Sequence, residues 1–445
     1  MNPIKPMFFD ATRSAWIVLR GGLGRSRRDL DDFMAGPVTG PDERSLTTRQ
    51  GRRLLWLDGL ISSVSEAFVT SFVHPFAISL GATNGQIGML SSLTSMAAAL
   101  GLLPGARLGD QVKTRKRVVM LAGGGAGRLI LFAVAAAPLL LPPPIAVYVY
   151  IMLIAGRGFI GQLGYPAWLG LMADLAPAAI RGRYFSGRNI AIALAGLLFA
   201  PLAGRLIDLI GPPAGYQVSF LLAGIIGLIA TAIFSRIPEP PPLIEEAAEP
   251  AGHGLFGFLR QHPRFTAFAA VAFIWNLAIN VAGPFFTVHL VRNLGATPTE
   301  IGILATIQSL STIVGQRVWG RLHDRKGALW IVRFSGFMIP CLPLLWAIAP
   351  APWFVGLIYT VGGFAWAGHG LANFNLLLSL TPAAQRGRYV AAYQMAAFAG
   401  AALGPLIGGA LLDLFAIRTL FLVSACGRLT ATVLFLLTVR GETEK

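Results

Sequence analysis

Charged side chains stand inside apolar segments at a few positions of this chain, where they could carry a proton or form an ion pair. Glu66 lies in "SSVSEAFVTSF" and Arg157 in "IAGRGFIGQ", each deep within a long apolar stretch. Burial disfavours a charged carboxylate, whereas a neighbouring guanidinium favours it. Glu66 and Arg157 are therefore the main candidates for a pair that opens and closes to take up and release a proton, with a permanent structural ion pair as the alternative. The sequence leaves open whether the two side chains meet. Arg128 and Arg428 stand at similar depths and are predicted to brace the helices or to pair with other groups.

Neutral polar and aromatic side chains occupy comparable depths elsewhere in the chain. Such a mixture of hydrogen-bonding and aromatic surfaces is typical of pockets for small organic molecules. The imidazole of His369 suits a proton carrier as well as a packing residue with satisfied hydrogen bonds. The candidate binding residues besides Glu66 and Arg157 are Gln162, Trp168, Asn276, Asn280, His369 and Asn373.

Signatures of catalysis are missing from the sequence. It contains no nucleotide-binding P-loop and no spacing of histidines, cysteines or carboxylates that fits a metal site. The stretch "AGGGAGRL", Ala122–Leu129, looks like a phosphate-binding loop only superficially, because it follows no strand and its glycines suit helix packing. We therefore expect no enzymatic activity, no cofactor and no metal.

The composition explains why these few charges stand out. Of the 445 residues, 13% are charged and 55% are hydrophobic, whereas about a quarter of the residues of a soluble domain are charged. The run from Phe334 to Gln385 contains no Asp, Glu, Lys or Arg. It is long enough for two bilayer crossings of about 20 residues each. The chain is therefore predicted to be an all-α integral membrane protein.

Apolar windows between proline, glycine and charge breaks predict twelve transmembrane helices. Helices are the expected form, because backbone polar groups in lipid must be satisfied within their own segment. The predicted helices cover residues 54–78, 85–106, 118–141, 146–173, 187–209, 216–235, 265–291, 299–317, 328–348, 353–380, 389–412 and 419–439.

The formal net charge of +16 would suggest nucleic acid as a partner if the protein were soluble. Here the basic residues concentrate in the loops after predicted helices 2, 4, 8 and 10, and the loops on the other side are nearly uncharged. Basic loops remain in the cytoplasm. We therefore predict a multi-pass protein of the cell (inner or plasma) membrane, with both termini cytoplasmic and no nucleic-acid partner.

The sequence also contains an internal repeat. "LGATNGQIGML" at Leu80 returns as "LGATPTEIGIL" at Leu294, and "PAAIRGRY" at Pro177 returns as "PAAQRGRY" at Pro382. Parallel repeats of six helices build one large class of transporter folds. The predicted units are a cytoplasmic tail at 1–53, six-helix bundles at 54–236 and 265–440, a cytoplasmic linker at 237–264 between the bundles, and a short cytoplasmic tail at 441–445.

The loop after predicted helix 8 reads "GRLHDRKG", Gly320–Gly327. In this loop the chain resembles the major facilitator superfamily, whose G-x-L-x-D-R-x-G signature follows helix 2 and often recurs after helix 8. The first copy, "ARLGDQVKTRKR", keeps Asp110 and the basic run but departs from the signature at both glycines and at the arginine. The resemblance covers residues 54–440. It implies two pseudo-symmetric six-helix bundles, with helices 1, 4, 7 and 10 around a central cavity and helices 3, 6, 9 and 12 outside them.

The same resemblance implies a gate at the cytoplasmic ends of the helices, held shut by the signature aspartate, a loop arginine and the end of helix 11. Exposed ion pairs contribute only about 0–1 kcal/mol each, which suits a contact that must open. The alternative is that the basic residues only set the orientation of the chain. The predicted gate residues are Asp110, Arg115, Arg117, Asp174, Arg181, Arg183, Gly320, Asp324, Arg325, Gly327, Arg386 and Arg388.

Together these features predict a monomeric secondary active transporter that moves a small organic solute by alternating access and is coupled to protons. Two substrate classes remain open. The aromatic, lightly charged second half favours efflux of amphipathic, drug-like compounds, whereas the excess of arginine over carboxylate at mid-depth favours an organic anion or polar metabolite. Pairing of Arg157 with Glu66 would favour efflux, and an unpaired Arg157 facing the cavity would favour the anion. A non-transporting sensor on the same scaffold is the alternative of another class.

Overall fold

The computed structural model describes residues 43–111, 114–176, 178–239, 260, 263–379, 381 and 386–439. Most of the predicted N-terminal tail, most of the predicted linker and the predicted C-terminal tail lie outside the described residues. Within the described part, twelve helical segments follow one another, which is consistent with the predicted number.

The twelve segments are labelled α1 to α12 in chain order. They are α1, Glu43–Ala67 with its continuation through Thr70–Phe72 and Val73–Ser79; α2, Asn84–Gln111; α3, Arg115–Val119, a π-helical stretch Met120–Ala126 and Gly127–Leu140; α4, Pro143–Leu175; α5, Ala178–Ile210; α6, Ala214–Phe234; α7, Pro263–Val288 with a π-helical end His289–Asn293; α8, Pro298–Lys326; α9, Ala328–Ala347; α10, Pro352–Ser379; α11, Arg386–Leu414; and α12, Ile417–Val439. Helix α1 begins before its predicted start at 54, because the arginines, glutamine and leucine of "ERSLTTRQGRR" are good helix formers.

Nine of the described segments, α3 to α7 and α9 to α12, are long and apolar enough to cross a bilayer. The other three, α1, α2 and α8, carry more polar residues and pack mainly against other helices. Helix α2 lies against α4 and α11, and α8 lies against α10 and α5. A span that contacts helices or lines a cavity needs less apolar surface than one surrounded by lipid.

The repeated "LGAT" stretches form the starts of α2 and α8. Thr83 and Gln86 bond reciprocally through side chain and backbone at 2.9 and 3.2 Å, and Thr297 and Glu300 do the same at 2.7 and 3.2 Å. Each pair is a capping box, which satisfies two of the free N–H groups at a helix start. The glycine before the box has a positive φ in both copies, a conformation that favours glycine.

The tyrosine that ends each repeated octapeptide fastens the first helix of its own half. Tyr184 donates a hydrogen bond to the backbone carbonyl of Arg52 on α1 at 2.7 Å. Burial raises the pKa of Tyr184 well above its usual range, so the hydroxyl remains a neutral donor. Tyr389 packs edge-on against Phe265 at the start of α7, with ring centroids 4.6 Å apart.

The two halves touch through glycines related by the same repeat. A Cβ on Gly302 of α8 would lie 2.5 Å from the carbonyl oxygen of Ala200 on α5. At the equivalent place a Cβ on Gly88 of α2 would overlap the carbonyl oxygen of Pro405 on α11. These backbones approach as closely as they do because no side chain separates them.

Hydrogen bonds also join the halves near these glycines. The guanidinium of Arg292 donates to the side chain of Asn84 at 2.9 Å, and the backbone N–H of Thr299 donates to the carboxylate of Asp208 at 2.9 Å. We name the end of the bundle that carries the loops next to Arg115 and Lys326 the basic end. The contacts between the halves lie at the other end, near the loops 80–83 and 294–297, which we name the opposite end.

Candidate functional site

A cavity of about 680 Å³ lies within the first six-helix unit, between α1, α2, α3, α4 and α6. Pockets for small organic molecules typically enclose about 300–1,000 Å³. One face of α1 lines much of the cavity, because residues four apart in a helix share a face. The α1 residues at this spacing that line it are Asp58, Ser62, Glu66, Thr70 and His74.

Glu66 accepts hydrogen bonds from two arginines on the wall of this cavity. Arg157 of α4 donates to its Oε1 at 2.5 Å, and Arg128 of α3 donates to the same oxygen at 2.9 Å. The Oε2 atom accepts no hydrogen bond from the described residues, and the side chain is 39% exposed. The pair of Glu66 and Arg157, which the sequence left open, is thus present in the structure, with a second arginine added.

Arg128 is nearer to the site than the sequence suggested. It donates to the hydroxyls of Ser65 at 3.1 Å and Ser62 at 3.2 Å as well as to Glu66. Its aliphatic stem lies against Gly227 of α6, where a Cβ would be 2.5 Å from its Cδ. Arg128 therefore joins the charged centre of this cavity, which fits its predicted role of pairing with other groups.

The glycines of "AGGGAGRL" form part of a π-helical stretch of α3. The wider turn of a π-helix often occurs at functional sites. Gly123, Gly124 and Gly127 line the cavity, and the carbonyl of Gly124 accepts a hydrogen bond from Thr231 of α6 at 2.6 Å. The prediction that these glycines serve helix packing describes Gly124 but leaves out the cavity that they border.

Asp58 is a further carboxylate at this cavity that the predicted binding residues omit. It is buried and accepts a hydrogen bond from Ser62 at 3.4 Å. The four-residue steps from Asp58 through Ser62 to Glu66 are the sequence signal for it. Nearby, the guanidinium of Arg188 lies 5.6 Å from the ring centre of Trp168, a cation–π arrangement.

The predicted binding residues fall into three groups in the structure. Besides Glu66 and Arg157, both Gln162 and Trp168 line the cavity of the first unit. His369 and Asn373 line a separate space of about 30 Å³ in the second unit, where the imidazole of His369 stacks on the ring of Trp275 with centroids 4.8 Å apart.

Asn276 and Asn280 are not among the described residues that line these two spaces. Their side-chain amides donate to the carbonyls of Ala272 and Asn276, one turn earlier in α7, at 2.9 and 2.8 Å. Both pack against glycines of α11. Helical depth placed these residues, but it does not specify which way a side chain points.

Some of the predicted gate residues can be placed in the structure. The guanidinium of Arg115 pairs with Asp174 at 2.7 Å, with side-chain exposures of 27% and 6%. Asp324 is 85% exposed and lies 4.0 Å from His323. The side chains of Arg117 and Arg325 are exposed. A Cβ on Gly320 would meet no atom within 4 Å. Gly327 ends α8 with a φ of 78°. The side chains of Asp110, Arg181, Arg183, Arg386 and Arg388 lie outside the described part of the structure.

Replacing Asp174 with Asn should lower the stability of the protein by about 1–3 kcal/mol, because it leaves the half-buried guanidinium of Arg115 without its counter-charge. Thermal unfolding of the purified protein measures the loss, and a double-mutant cycle with Arg115→Met isolates the pair. Arg117→Met, at an exposed neighbouring arginine, is the matched control and should change stability by less than about 0.5 kcal/mol. An unchanged melting temperature in Asp174→Asn would contradict a bracing role.

Comparison with known protein families identifies the fold. The family model described as Major Facilitator Superfamily matches residues 55–288 and 268–445. The chain belongs to this superfamily. Its helical architecture and the six-plus-six repeat therefore confirm the predicted fold class, and the family indicates a membrane transporter for small molecules rather than an enzyme.

Relatives within the superfamily include proteins named for drug resistance. The chain is 24% identical over 382 residues to the multi-drug resistance efflux pump PmrA of Streptococcus pneumoniae, covering 83% of this chain and 91% of that protein. It is 29% identical over 180 residues to the multidrug resistance protein MdtG of Serratia proteamaculans, covering 38% of this chain and 42% of that protein.

Solved structures of other transporters in this superfamily share the fold. The nucleoside transporter NupG superposes with a TM-score of 0.71 at 16% identity, covering 88% of this chain and all of that chain. A bacterial homologue of the iron transporter ferroportin, in its inward-facing state, superposes with a TM-score of 0.65 at 15% identity, covering 89% of this chain and 99% of that chain. At such identities the likeness concerns the fold alone.

Proposed function

We propose that the protein is a secondary active transporter that exports amphipathic, drug-like compounds in exchange for protons and works by alternating access. The observation that carries the proposal is Glu66, a carboxylate held through one oxygen by two arginines at the wall of a ligand-sized cavity. The names of the relatives support the substrate class. In this proposal the protein acts as a monomer in the cell membrane, with both termini in the cytoplasm as the positive-inside rule requires.

The geometry around Glu66 suits proton exchange. While Arg157 and Arg128 donate to Oε1, two positive charges stabilise the ionised form of the carboxylate. If substrate binding or the motion of the halves draws an arginine away, the carboxylate loses that counter-charge in a weakly polar surrounding and takes up a proton. The side chain of Glu66 is 39% exposed and lines the cavity, so a proton can reach the carboxylate without unfolding of α1.

The charges of the cavity favour efflux of amphipathic compounds over transport of an organic anion. The anion alternative requires a guanidinium that faces the cavity without a partner, but Arg157 and Arg128 both contact Glu66. With Asp58 included, two carboxylates face two guanidinium groups among the lining residues. A lining with balanced charge offers no strong attraction for an anion.

The packing of the halves supports alternating access. Contacts between the first and second units at the opposite end close that side of the protein through glycines such as Gly302 and hydrogen bonds such as that of Arg292. In the proposed cycle these contacts separate while the basic ends approach. The predicted gate residues around Asp324 and Arg325 would then meet loops of the first unit.

Purified protein in liposomes with an imposed pH gradient tests the proposal. We expect uptake of amphipathic compounds against their concentration gradient, and a protonophore should collapse it. A panel of organic anions serves as the comparison. If only the organic anions were transported, the hypothesis of efflux of amphipathic compounds would be wrong. If no compound of either class moved or carried protons, coupled transport itself would be rejected, and a sensor on this scaffold would be the better account.

A further inference from the structure

The internal repeat allows each wall of the first cavity to be compared with its counterpart in the second unit. The offset of 205 residues that relates the octapeptides aligns α4 with α10, so that Gly161 matches Trp366 and Gly164 matches His369. The packing supports this alignment. A Cβ on Gly101 of α2 would overlap the backbone of Phe159, and a Cβ on Gly315 of α8 would lie 3.1 Å from the Cα of Phe364, the residue equivalent to Phe159.

The two equivalent spaces differ in what fills them. In the second unit, Trp366 and His369 both pack on Trp275, with centroid distances of 6.4 and 4.8 Å, and about 30 Å³ remains empty. In the first unit, a Cβ added at Gly161 or at Gly123 would meet no atom within 4 Å, and about 680 Å³ is empty. The first unit thus has open space where the second has aromatic rings.

The walls of the open cavity suit a flat, uncharged molecule. Bare peptide faces at glycine let a planar ring approach closely, and Trp168 and Tyr165 form a stacked pair there, with centroids 5.8 Å apart. Aromatic rings prefer such offset-stacked contacts. The balanced charges of the four ionisable side chains described above favour a ligand without net charge. The indole of Trp366 shows the shape that the equivalent position accommodates: a planar aromatic group with one hydrogen-bond donor.

We propose that Gly161 and Gly123 determine the width of the transported molecule, and that the substrate's planar aromatic part, uncharged overall, lies against these glycines inside the first unit. This inference rests on the proposed transport function and names the position and the class of its substrate. The second unit does not hold the ring system, because its own Trp366 and His369 occupy the equivalent space. The glycines act as specificity-determining residues rather than as charge carriers.

Equilibrium binding to the full-length protein in lipid nanodiscs tests this inference without any gradient. Acridone, an uncharged and fluorescent compound of three fused rings, is the probe, and coumarin, with two fused rings, is the smaller comparison. We expect Gly161→Trp to weaken acridone binding about tenfold or more and coumarin binding much less, because a filled site tolerates added volume poorly. Gly161→Val and Gly123→Leu should weaken acridone binding in the same direction, which covers the case that the tryptophan variant does not fold.

Two variants outside the cavity are the controls. Gly156→Trp places the same side chain elsewhere on α4, where a Cβ also meets no atom within 4 Å, and Trp366→Gly removes the ring from the second unit. Both should leave acridone binding within about twofold. Absence of acridone binding to the unaltered protein, or a loss in Trp366→Gly instead of the Gly161 variants, would overturn the inference. If this binding pattern were absent, the inference would be wrong but coupled transport would not be contradicted. If the pattern were present and the protein moved no substrate, only the proposed function would be rejected.

Discussion

The Glu66→Gln variant should exchange substrate across the membrane but should no longer accumulate it against a pH gradient. A pH difference of one unit carries about 1.4 kcal/mol per proton, which can accumulate an uncharged substrate about tenfold. Glutamine keeps the size of the side chain and an oxygen that can accept from Arg157 and Arg128, but it cannot take up a proton. The measurement is substrate accumulation in liposomes with and without the gradient, together with counterflow of labelled substrate.

Asp58→Asn is the matched control, because it makes the same chemical change on the same face of α1 and in the same cavity. Gradient-driven accumulation should persist in this variant. The loss of a charge beside two buried guanidinium groups can lower stability, so melting temperature and counterflow must show that Glu66→Gln still folds and binds. Accumulation that is unchanged in Glu66→Gln, or lost only in Asp58→Asn, would exclude Glu66 as the proton carrier.

The helices and the charged candidate residues could be predicted because each leaves a local signal. Apolar runs set the helices, and the charged residues within them stand out because a charge in lipid is costly. Glu66 and Arg157 are the main candidates on that basis, whereas their pairing is left open by the sequence. Arg128 has the same signal, but its reach toward α1 depends on how α3 packs, on the π-helical stretch before it and on the bare Gly227 beneath its stem. None of these three features can be predicted from the depth of Arg128 in its helix.

The side-chain directions in α7 likewise could not be predicted from depth in the helix. Asn280 is a candidate for the binding site because of its depth in the helix, and the 214-residue offset of the repeat makes it the counterpart of Glu66. In the structure its amide donates to the carbonyl of Asn276 in its own helix. Asparagine commonly satisfies itself in this way with nearby backbone. Among the described residues that line the two spaces, the carboxylates Asp58 and Glu66 therefore both belong to the first unit.

The position of the cavity within one unit could not be predicted from composition. It depends on glycines such as Gly161, which stands where the second unit has the ring of Trp366, a difference that appears only when the two copies are aligned and their packing is known. A glycine in a membrane helix serves close packing in one place and borders an empty space in another. The role of such a glycine therefore cannot be assigned from the sequence until its neighbours in the structure are known.

Replacing Gly204 with leucine should abolish transport by preventing closure of the opposite end. Any Cβ at Gly204 of α5 would overlap the carbonyl oxygen of Pro298 on α8, and backbone on both sides leaves little room to adjust. The variant should populate conformations in which the halves are apart at this end. Substrate transport in liposomes measures the loss, and Gly196→Leu, on the same helix where a Cβ meets no atom within 4 Å, should retain transport.

A distance measurement separates a locked conformation from a misfolded protein. Spin labels at Leu140 and Trp353, exposed positions in the first and second units, can be attached after Cys341 and Cys426 are replaced by serine. The label distance should lengthen by several ångströms in Gly204→Leu and remain unchanged in Gly196→Leu. An unchanged distance in Gly204→Leu with normal transport would show that this contact is not part of the transport cycle.

The pseudo-symmetric counterpart gives a graded form of the same prediction. Gly409 of α11 is equivalent to Gly204, but a Cβ there would lie 3.2 Å from the carbonyl oxygen of Asn84, a contact that a small shift can relieve. Gly409→Ala should therefore reduce transport much less than Gly204→Ala. Equal effects of the two alanine substitutions on transport would mean that the close approach of α5 to α8 is not specifically required to close the opposite end.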